Sequence, residues 1–274
     1  MLATIHTLNI LLPILYAATF FVYLYDFTKD KSTVSNAKRI FLFVTLLVHT
    51  FYVLARTIEF DHTPITNKFE IFTLLACTIS CAYFILELLT DIRGTGLFII
   101  FFSLVFQVIS SLFIKDLFEV SEVLRNRMLG LHVISAMLGY SGFTISAVYG
   151  LLYLLLYKDI KLNKFGIIFK RLPSLETLDK LCFNSMLIGF VLLTFAIIIG
   201  ITWLPSAFPN FSFFDPKIIS TVIVWLVFGS MIVAKYVAKW QGKKVVRFAL
   251  LGFILMLISN LLSTTLSSSF HKFY

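Results

Sequence analysis

Charged residues are scarce in this chain, where they make up 14% of the 274 residues against 59% hydrophobic residues. The mean hydropathy of +0.95 lies well above the range of soluble globular domains. No water-soluble core could hide that much apolar surface. The composition therefore excludes a soluble globular protein and predicts an integral membrane protein.

Cysteine is also rare, with only Cys77, Cys81 and Cys182 in the chain. The first two are four residues apart, on one face of a predicted helix. None of the three belongs to a C-x-x-C or C-x-x-C-H motif, which excludes covalent haem attachment to this chain and argues against a thiol oxidoreductase. Packing in the interior is the favoured role for all three.

Long apolar runs are abundant. A membrane-spanning helix needs about 20 mostly apolar residues, and the connections between the runs are too short for a separate soluble domain. The first run has neither a basic segment before it nor a small-residue cleavage site, so we interpret it as a retained helix. We predict an all-α bundle of eight transmembrane helices, forming one integral membrane domain over residues 1–274. The eight runs lie at 7–25, 40–57, 69–89, 96–114, 130–157, 183–204, 218–236 and 248–266.

Most of the 23 Lys and Arg residues fall on one side of this predicted bundle, in the loops that follow the first, third, fifth and seventh helices. Cytoplasmic loops collect such residues, so both termini are predicted on the outer, non-cytoplasmic side. The same asymmetry accounts for the net charge of +9 without a nucleic acid. Anionic lipid at the inner face is the expected partner of this basic surface.

The second apolar run carries a polar stripe, formed by Thr45, His49, Tyr52 and Arg56 at spacings of four, three and four residues. These spacings place the side chains on one face of a helix. Polar residues inside a bilayer are costly and usually face the interior of a bundle. His49, near the middle of the membrane, is predicted either to hydrogen-bond a neighbouring helix or to act as a ligand.

A short aromatic loop, 203–217, joins the sixth and seventh runs and ends near Asp215. His132, His271 and His62 are predicted on the same outer side. Two neutral imidazoles on opposite faces of a porphyrin form a bis-histidine iron site, and aromatic rings stack on the macrocycle. The alternative for the loop is an aromatic belt at the level of the lipid headgroups.

Several segments together resemble the cytochrome c assembly family of CcsA/ResC and HemX-like membrane proteins, over most of the chain from about the second helix onward. In that family a tryptophan-rich outer loop ends in an Asp and is flanked by outer histidines. The matching segments are 172–179, 188–194 and 200–203 before the loop, 214–217 and 225–228 at its exit, His132 and 269–271 on either side, His62 with 67–70, and the intramembrane His49.

The resemblance implies a haem-handling subunit for cytochrome c biogenesis that receives or presents haem at the outer membrane face. It implies His132 and His271 as ligands of the haem iron, His49 and His62 as further haem-binding residues, and Asp215 as a group that orients haem or apocytochrome c. The aromatic platform would consist of Trp203, Phe213 and Phe214. The two Phe residues stand where the family has Trp, and they lack the indole N–H donor.

The resemblance also implies transiently bound b-type haem, a bacterial cytoplasmic membrane and a second membrane subunit, because the chain lacks a large outer domain. No catalytic residue is predicted, and membership of a haem lyase or synthase complex stays open. The alternative is a HemX-like accessory protein that binds a partner without binding haem. A transporter is a weaker alternative, since the sequence has no internal repeat and few intramembrane acids besides Glu87.

Overall fold

The computed structural model describes residues 1–29, 32–90, 92, 94–118, 120, 122–207 and 214–265. Within these ranges all regular structure is helical and no strand occurs, which confirms the predicted all-α class. The helices are α1 (Leu2–Lys29), α2 (Ser32–Phe60), α3 (Lys68–Thr90), α4 (Gly96–Phe113), α5 (Glu122–Arg125), α6 (Arg127–Lys161), α7 (Ile167–Arg171), α8 (Leu175–Ala207), α9 (Pro216–Tyr236) and α10 (Lys243–Thr265).

Seven of these helices are long and apolar enough to cross a membrane: α1, α2 from Asn36, α3, α4, α6, α8 as far as Pro205, and α9. They contain the first seven predicted runs, except for Ile114 at the end of the fourth. The eighth run, 248–266, falls on α10, which is not among the seven over its described residues. The chain is thus an integral membrane protein, while the eighth span and the outer position of both termini stay predictions.

The chain forms two compact units. The first unit comprises residues 1–137 and 170–173, and the second comprises 138–169 and 174–274. The boundary lies within α6, after Met137. The prediction of one domain over 1–274 therefore stays a prediction, and each unit is described by itself.

The first unit is built from α1 to α4, with α1 packed against α2 and α4, and α3 packed against α2 and α4. One part of its core is apolar and includes Ile5, Leu8, Leu12 and Phe60. Large apolar side chains such as Ile10 also cover the outside of the helices, where Ile10 is 67% exposed. In a bilayer this outer surface faces lipid, so the polar groups of the helices turn inward.

The second unit depends on close helix contacts. A Cβ atom at Gly142 of α6 would lie 2.7 Å from the Cα atom of Gly189 of α8, so both positions require glycine. The rings of Phe143 and Phe228 stack with centroids 3.8 Å apart. The indole N–H of Trp225 on α9 donates to Thr194 Oγ1 on α8 at 2.8 Å. Small residues and stacked rings therefore hold α6, α8 and α9 together.

Candidate functional site

His49 lies in the interior of the first unit and is fully buried. Its Nδ1 atom is 2.9 Å from the hydroxyl of Tyr16 on α1, and its Nε2 atom is 3.0 Å from Thr73 Oγ1 on α3. Thr73 in turn donates its hydroxyl proton to Gln107 Oε1 on α4, at 2.8 Å. His49 thus makes hydrogen bonds to neighbouring helices, which is one of its two predicted roles, and this series of hydrogen bonds connects all four long helices of the unit.

This pattern also assigns the tautomer of the imidazole ring. Thr73 donates its single hydroxyl proton to Gln107. The proton in the hydrogen bond between Thr73 and His49 therefore comes from His49 Nε2. The Nδ1 lone pair then accepts from Tyr16, whose hydroxyl also lies 3.4 Å from the carbonyl oxygen of Ala76. A neutral imidazole binds a metal ion through this remaining lone pair. In the described arrangement, His49 would bind iron only after Tyr16 withdrew.

A buried ion cluster, here called the lysine end, lies toward the start of α2. Lys38 Nζ is 2.9 Å from Asp26 Oδ2 and 3.2 Å from Glu87 Oε1, and Tyr23 donates to Glu87 Oε2 at 2.6 Å. The side chains of Lys38 and Glu87 are each at most 1% exposed. The basic residues between the first two apolar runs, Lys38 among them, were predicted to be loop charges. For Lys38 this prediction is wrong, because it is an interior ion-pair residue of α2.

A second buried cluster, here called the arginine end, lies near the opposite end of α2. Arg56 makes two ion pairs of 2.8 Å each, to Glu70 Oε1 and to Asp116 Oδ1. Thr66 donates both its backbone N–H and its hydroxyl to Glu70 Oε2, at 2.7 Å each. The guanidinium group also lies 4.8 Å from the ring centroid of Phe60. The polar stripe predicted on this helix thus faces the interior and ends in an ion cluster.

His62 is buried in the segment between α2 and α3. Its Nδ1 atom is 2.9 Å from the carbonyl oxygen of Thr63, and its Nε2 atom is 3.2 Å from that of Leu117. The imidazole therefore connects this segment to the chain that follows α4. Both ring nitrogens contact backbone oxygen atoms in this arrangement.

The aromatic loop is described only at its two ends. Trp203 is half-buried near the end of α8, and Phe214 is 84% exposed. Asp215 is buried and caps α9, because its Oδ1 atom accepts the backbone N–H of Lys217 at 2.8 Å and Pro216 occupies the first helical turn. Phe213 lies outside the described residues. The cap fixes the direction in which the chain enters α9, with Phe214 directly before it.

Of the two predicted iron ligands, only His132 lies within the described residues. His132 lies on α6, is half-buried and belongs to the first unit, whereas Trp203, Phe214 and Asp215 belong to the second. His271 lies outside the described residues. The structure thus places Phe214 beside the Asp215 cap, and it describes His132 as part of a transmembrane helix.

Sequence reasoning missed most of the buried polar interior of the first unit. It found the stripe on α2 but not the partners on the neighbouring helices, which are Tyr16, Tyr23 and Asp26 on α1, Glu70, Thr73 and Glu87 on α3, and Gln107 on α4. A signal was present, since the polar residues of α1 and α3 also recur at spacings of three, four and seven. A search for helical polar stripes in every apolar run would have found them.

Comparison with known proteins identifies relatives along the whole chain. The family model described as "Cytochrome C assembly protein" matches residues 6–271. Protein HemX of Brevibacillus brevis is 24% identical over 268 residues, which cover 95% of each chain. The cytochrome c biogenesis protein CcsA of Guillardia theta is 28% identical over 237 residues, covering 80% of this chain and 79% of the relative.

A further CcsA protein, from Heterosigma akashiwo, is 26% identical over 258 residues, covering 81% of this chain and 80% of the relative. The matched range, residues 6–271, includes His49, His132, Asp215 and His271, whose roles stay predictions. The chain belongs to the cytochrome c assembly protein family.

Proposed function

We propose that this protein is a haem-handling membrane subunit for cytochrome c biogenesis and that it receives or presents haem at the outer face of a bacterial cytoplasmic membrane. The observation that carries the proposal is the family match over residues 6–271 of an integral membrane protein. Relatives of similar length named cytochrome c biogenesis protein CcsA support it. A second membrane subunit would complete the assembly, and apocytochrome c would be the protein that accepts the haem.

In this proposal His132 and His271 ligate the haem iron, and Trp203, Phe213 and Phe214 form an apolar platform. The exposed ring of Phe214 fits such a platform, because it offers an aromatic face outside the packed helices. Asp215 would act by fixing the chain direction at the start of α9, in addition to any contact with haem. When bound, haem supplies the iron that the two imidazoles hold.

Haem binding at His49 and His62 stays a prediction, and it would require each histidine to lose a contact that it makes in this structure. His49 would have to lose the hydrogen bond from Tyr16, and His62 would have to leave a backbone carbonyl. We expect any site at His49 to need a rearranged helix interior.

An absorption spectrum tests the ligand assignment. The protein would be purified from haem-replete membranes, and its Soret band compared with those of His132→Ala and His271→Ala. We expect each substitution to remove or shift the band, while His6→Ala, a change of an exposed histidine, leaves it unchanged. Purified protein without a Soret band, or a band unchanged in both variants, would overturn the assignment.

A HemX-like accessory role is the second candidate, and one observation favours it. The match to Protein HemX covers 95% of both chains. This candidate predicts that a partner protein co-purifies with the chain without haem absorbance. Co-purification followed by a spectrum of the complex separates the two functions.

A further inference from the structure

The buried polar side chains of the first unit line its interior and are here called the polar column, a feature that the proposed outer haem site does not use. On α3, Glu70, Thr73, Ser80 and Glu87 share one face and are each at most 1% exposed. From Glu70 to Glu87 the helix rises about 25 Å, close to the ~30 Å hydrocarbon thickness of a bilayer. The other members are Tyr16, Thr19, Tyr23 and Asp26 on α1, Lys38, Thr45, His49, Tyr52 and Arg56 on α2, and Ser103, Gln107 and Ser110 on α4.

Such a column is costly in a membrane. Charged and polar side chains inside a bilayer lose hydration, and small apolar residues would pack four helices without that cost. Intramembrane acids and histidines that face a bundle interior are typical of ion pathways and proton relays. The position of the polar column therefore points to a function beyond packing.

The lysine end contains groups that can exchange a proton. Glu87 accepts a hydrogen bond of 2.6 Å from Tyr23 and shares Lys38 with Asp26. Two carboxylates thus face one ammonium group. Arg171, which also belongs to the first unit, covers this end. Its guanidinium group donates to the carbonyl oxygens of Asp26 and Phe27.

The middle of the column consists of groups that both donate and accept. The Oγ1 atoms of Thr19 and Thr45 are 2.8 Å apart. A second series of hydrogen bonds runs from Tyr16 through His49 and Thr73 to Gln107. Hydroxyl and imidazole groups can take a proton on one side and release another on the other side. Ser103 Oγ is buried and has no hydrogen-bond partner among the described residues, so it suits a bridging water.

The arginine end connects the column to solvent. Glu70 is bound by Arg56, whose other partner Asp116 has a side chain that is 21% exposed. His6 Nε2 lies 3.4 Å from Asp116 Oδ2, and the His6 side chain is 64% exposed. His62 and the backbone of Lys115 lie beside this cluster. A partly exposed carboxylate next to an exposed histidine can exchange protons with water.

We propose that the polar column conducts protons between the two ends of the first unit. Glu87, whose side chain is at most 1% exposed, exchanges the proton when the lysine end opens, and Glu70 with Asp116 exchanges it at the arginine end. Each proton that enters at one end is matched by one that leaves at the other. Only O–H and N–H bonds form and break, so the transfer needs no oxidant or reductant. The proposal does not depend on haem binding at the proposed outer site.

Proton flux into reconstituted vesicles tests this proposal. The full chain would be placed in phosphatidylcholine and phosphatidylglycerol vesicles loaded with K⁺, and a valinomycin-driven potential would draw protons in, reported by a pH-sensitive dye. We expect flux about tenfold above that of protein-free vesicles. Glu87→Gln should lower it to the protein-free level, because an amide cannot exchange a proton. The matched control is Glu176→Gln, whose side chain is 77% exposed, and it should conduct like the unchanged protein.

Thr73→Val is a second test with a smaller effect on packing. Valine keeps the shape of threonine but removes the hydroxyl that connects His49 to Gln107, so flux should fall. Thr202→Val, on the exposed face of α8, is its control. Flux of the unchanged protein equal to that of protein-free vesicles would overturn the proposal. Undiminished flux in Thr73→Val would also overturn it, and this variant decides if Glu87→Gln does not fold.

Discussion

The two units of this protein pack their helices through different kinds of contact. Among its described residues, the first unit buries five charged side chains within its helices, namely Asp26, Lys38, Arg56, Glu70 and Glu87. Among the described residues of the second unit, Asp215 is the only buried charged side chain, and it caps a helix. There the contacts come from Gly142, Gly189 and stacked rings.

The difference shows where this chain accepts an energetic cost. Glycine and ring packing satisfy the requirements of a helix bundle in lipid without buried charge. Ion pairs in the same environment lose hydration, which their mutual attraction only partly offsets. The second unit therefore has the composition of a scaffold, and the first has that of a unit whose interior performs a task.

Breaking the lysine end should produce the largest effect. Lys38→Met leaves Asp26 and Glu87 buried without their cation, and we expect a loss of about 3–5 kcal/mol in the free energy of unfolding. Thermal unfolding of the purified protein in detergent, followed by circular dichroism, measures it. Lys180→Met, at a side chain that is 68% exposed, is the control and should unfold like the unchanged protein. Equal unfolding midpoints for the two variants would contradict a stabilising role of the cluster.

Breaking the glycine contact tests the other side of the comparison. In Gly142→Ala the new methyl group would lie 2.7 Å from Gly189 Cα and 2.8 Å from the Ser185 carbonyl oxygen, so the helices must separate. Overpacking of this kind costs about 1–3 kcal/mol. Gly166→Ala, where no heavy atom lies within 4 Å of the added Cβ, is the matched control. The same unfolding measurement should distinguish them, and a stable Gly142→Ala protein would show that the second unit tolerates wider packing.

The hydrogen bond from Trp225 to Thr194 is a neutral polar contact of the second unit. Its contribution to stability can be compared with that of the buried charges in the first unit. We expect Trp225→Phe and Thr194→Val to be coupled by about 1 kcal/mol, the usual net value of one hydrogen bond. A double-mutant cycle on unfolding free energies isolates this value. Strict additivity of the two substitutions would mean that the bond contributes nothing to stability.

The exposed pair of Glu176 and Lys180 should have the smallest effect. Their side chains are 77% and 68% exposed, although Glu176 Oε1 is 2.7 Å from Lys180 Nζ. Water and salt screen such pairs, so Glu176→Gln should leave the unfolding midpoint unchanged within error. A clear drop would indicate that charge at the surface of the second unit matters as much as charge inside the first.

The fold class followed from the sequence because a bilayer imposes a simple rule. Only helices satisfy every backbone group within a single apolar segment of about 20 residues. Each of the first seven predicted runs coincides with a helix that is long and apolar enough to span. Charge asymmetry predicted an orientation, but that depends on the membrane itself and stays a prediction.

The site was less accessible to sequence reasoning. The stripe of Thr45, His49, Tyr52 and Arg56 was predicted from spacing, since spacing along one helix fixes which residues share a face. The partners of His49, however, come from α1 and α3, 33 and 24 residues away. Lys38 was assigned to a loop for the same reason, because its two acidic partners belong to other helices.

The sequence by itself determined that this protein is a helical membrane protein and which family it resembles, since apolar length and local motifs are properties of contiguous residues. The tertiary structure decided which polar side chains meet. Hydrogen bonds and ion pairs form between atoms about 3 Å apart, and only helix packing brings Tyr16, His49, Thr73 and Gln107 to that distance. For this reason the polar column, and the proton path proposed along it, came from the folded structure.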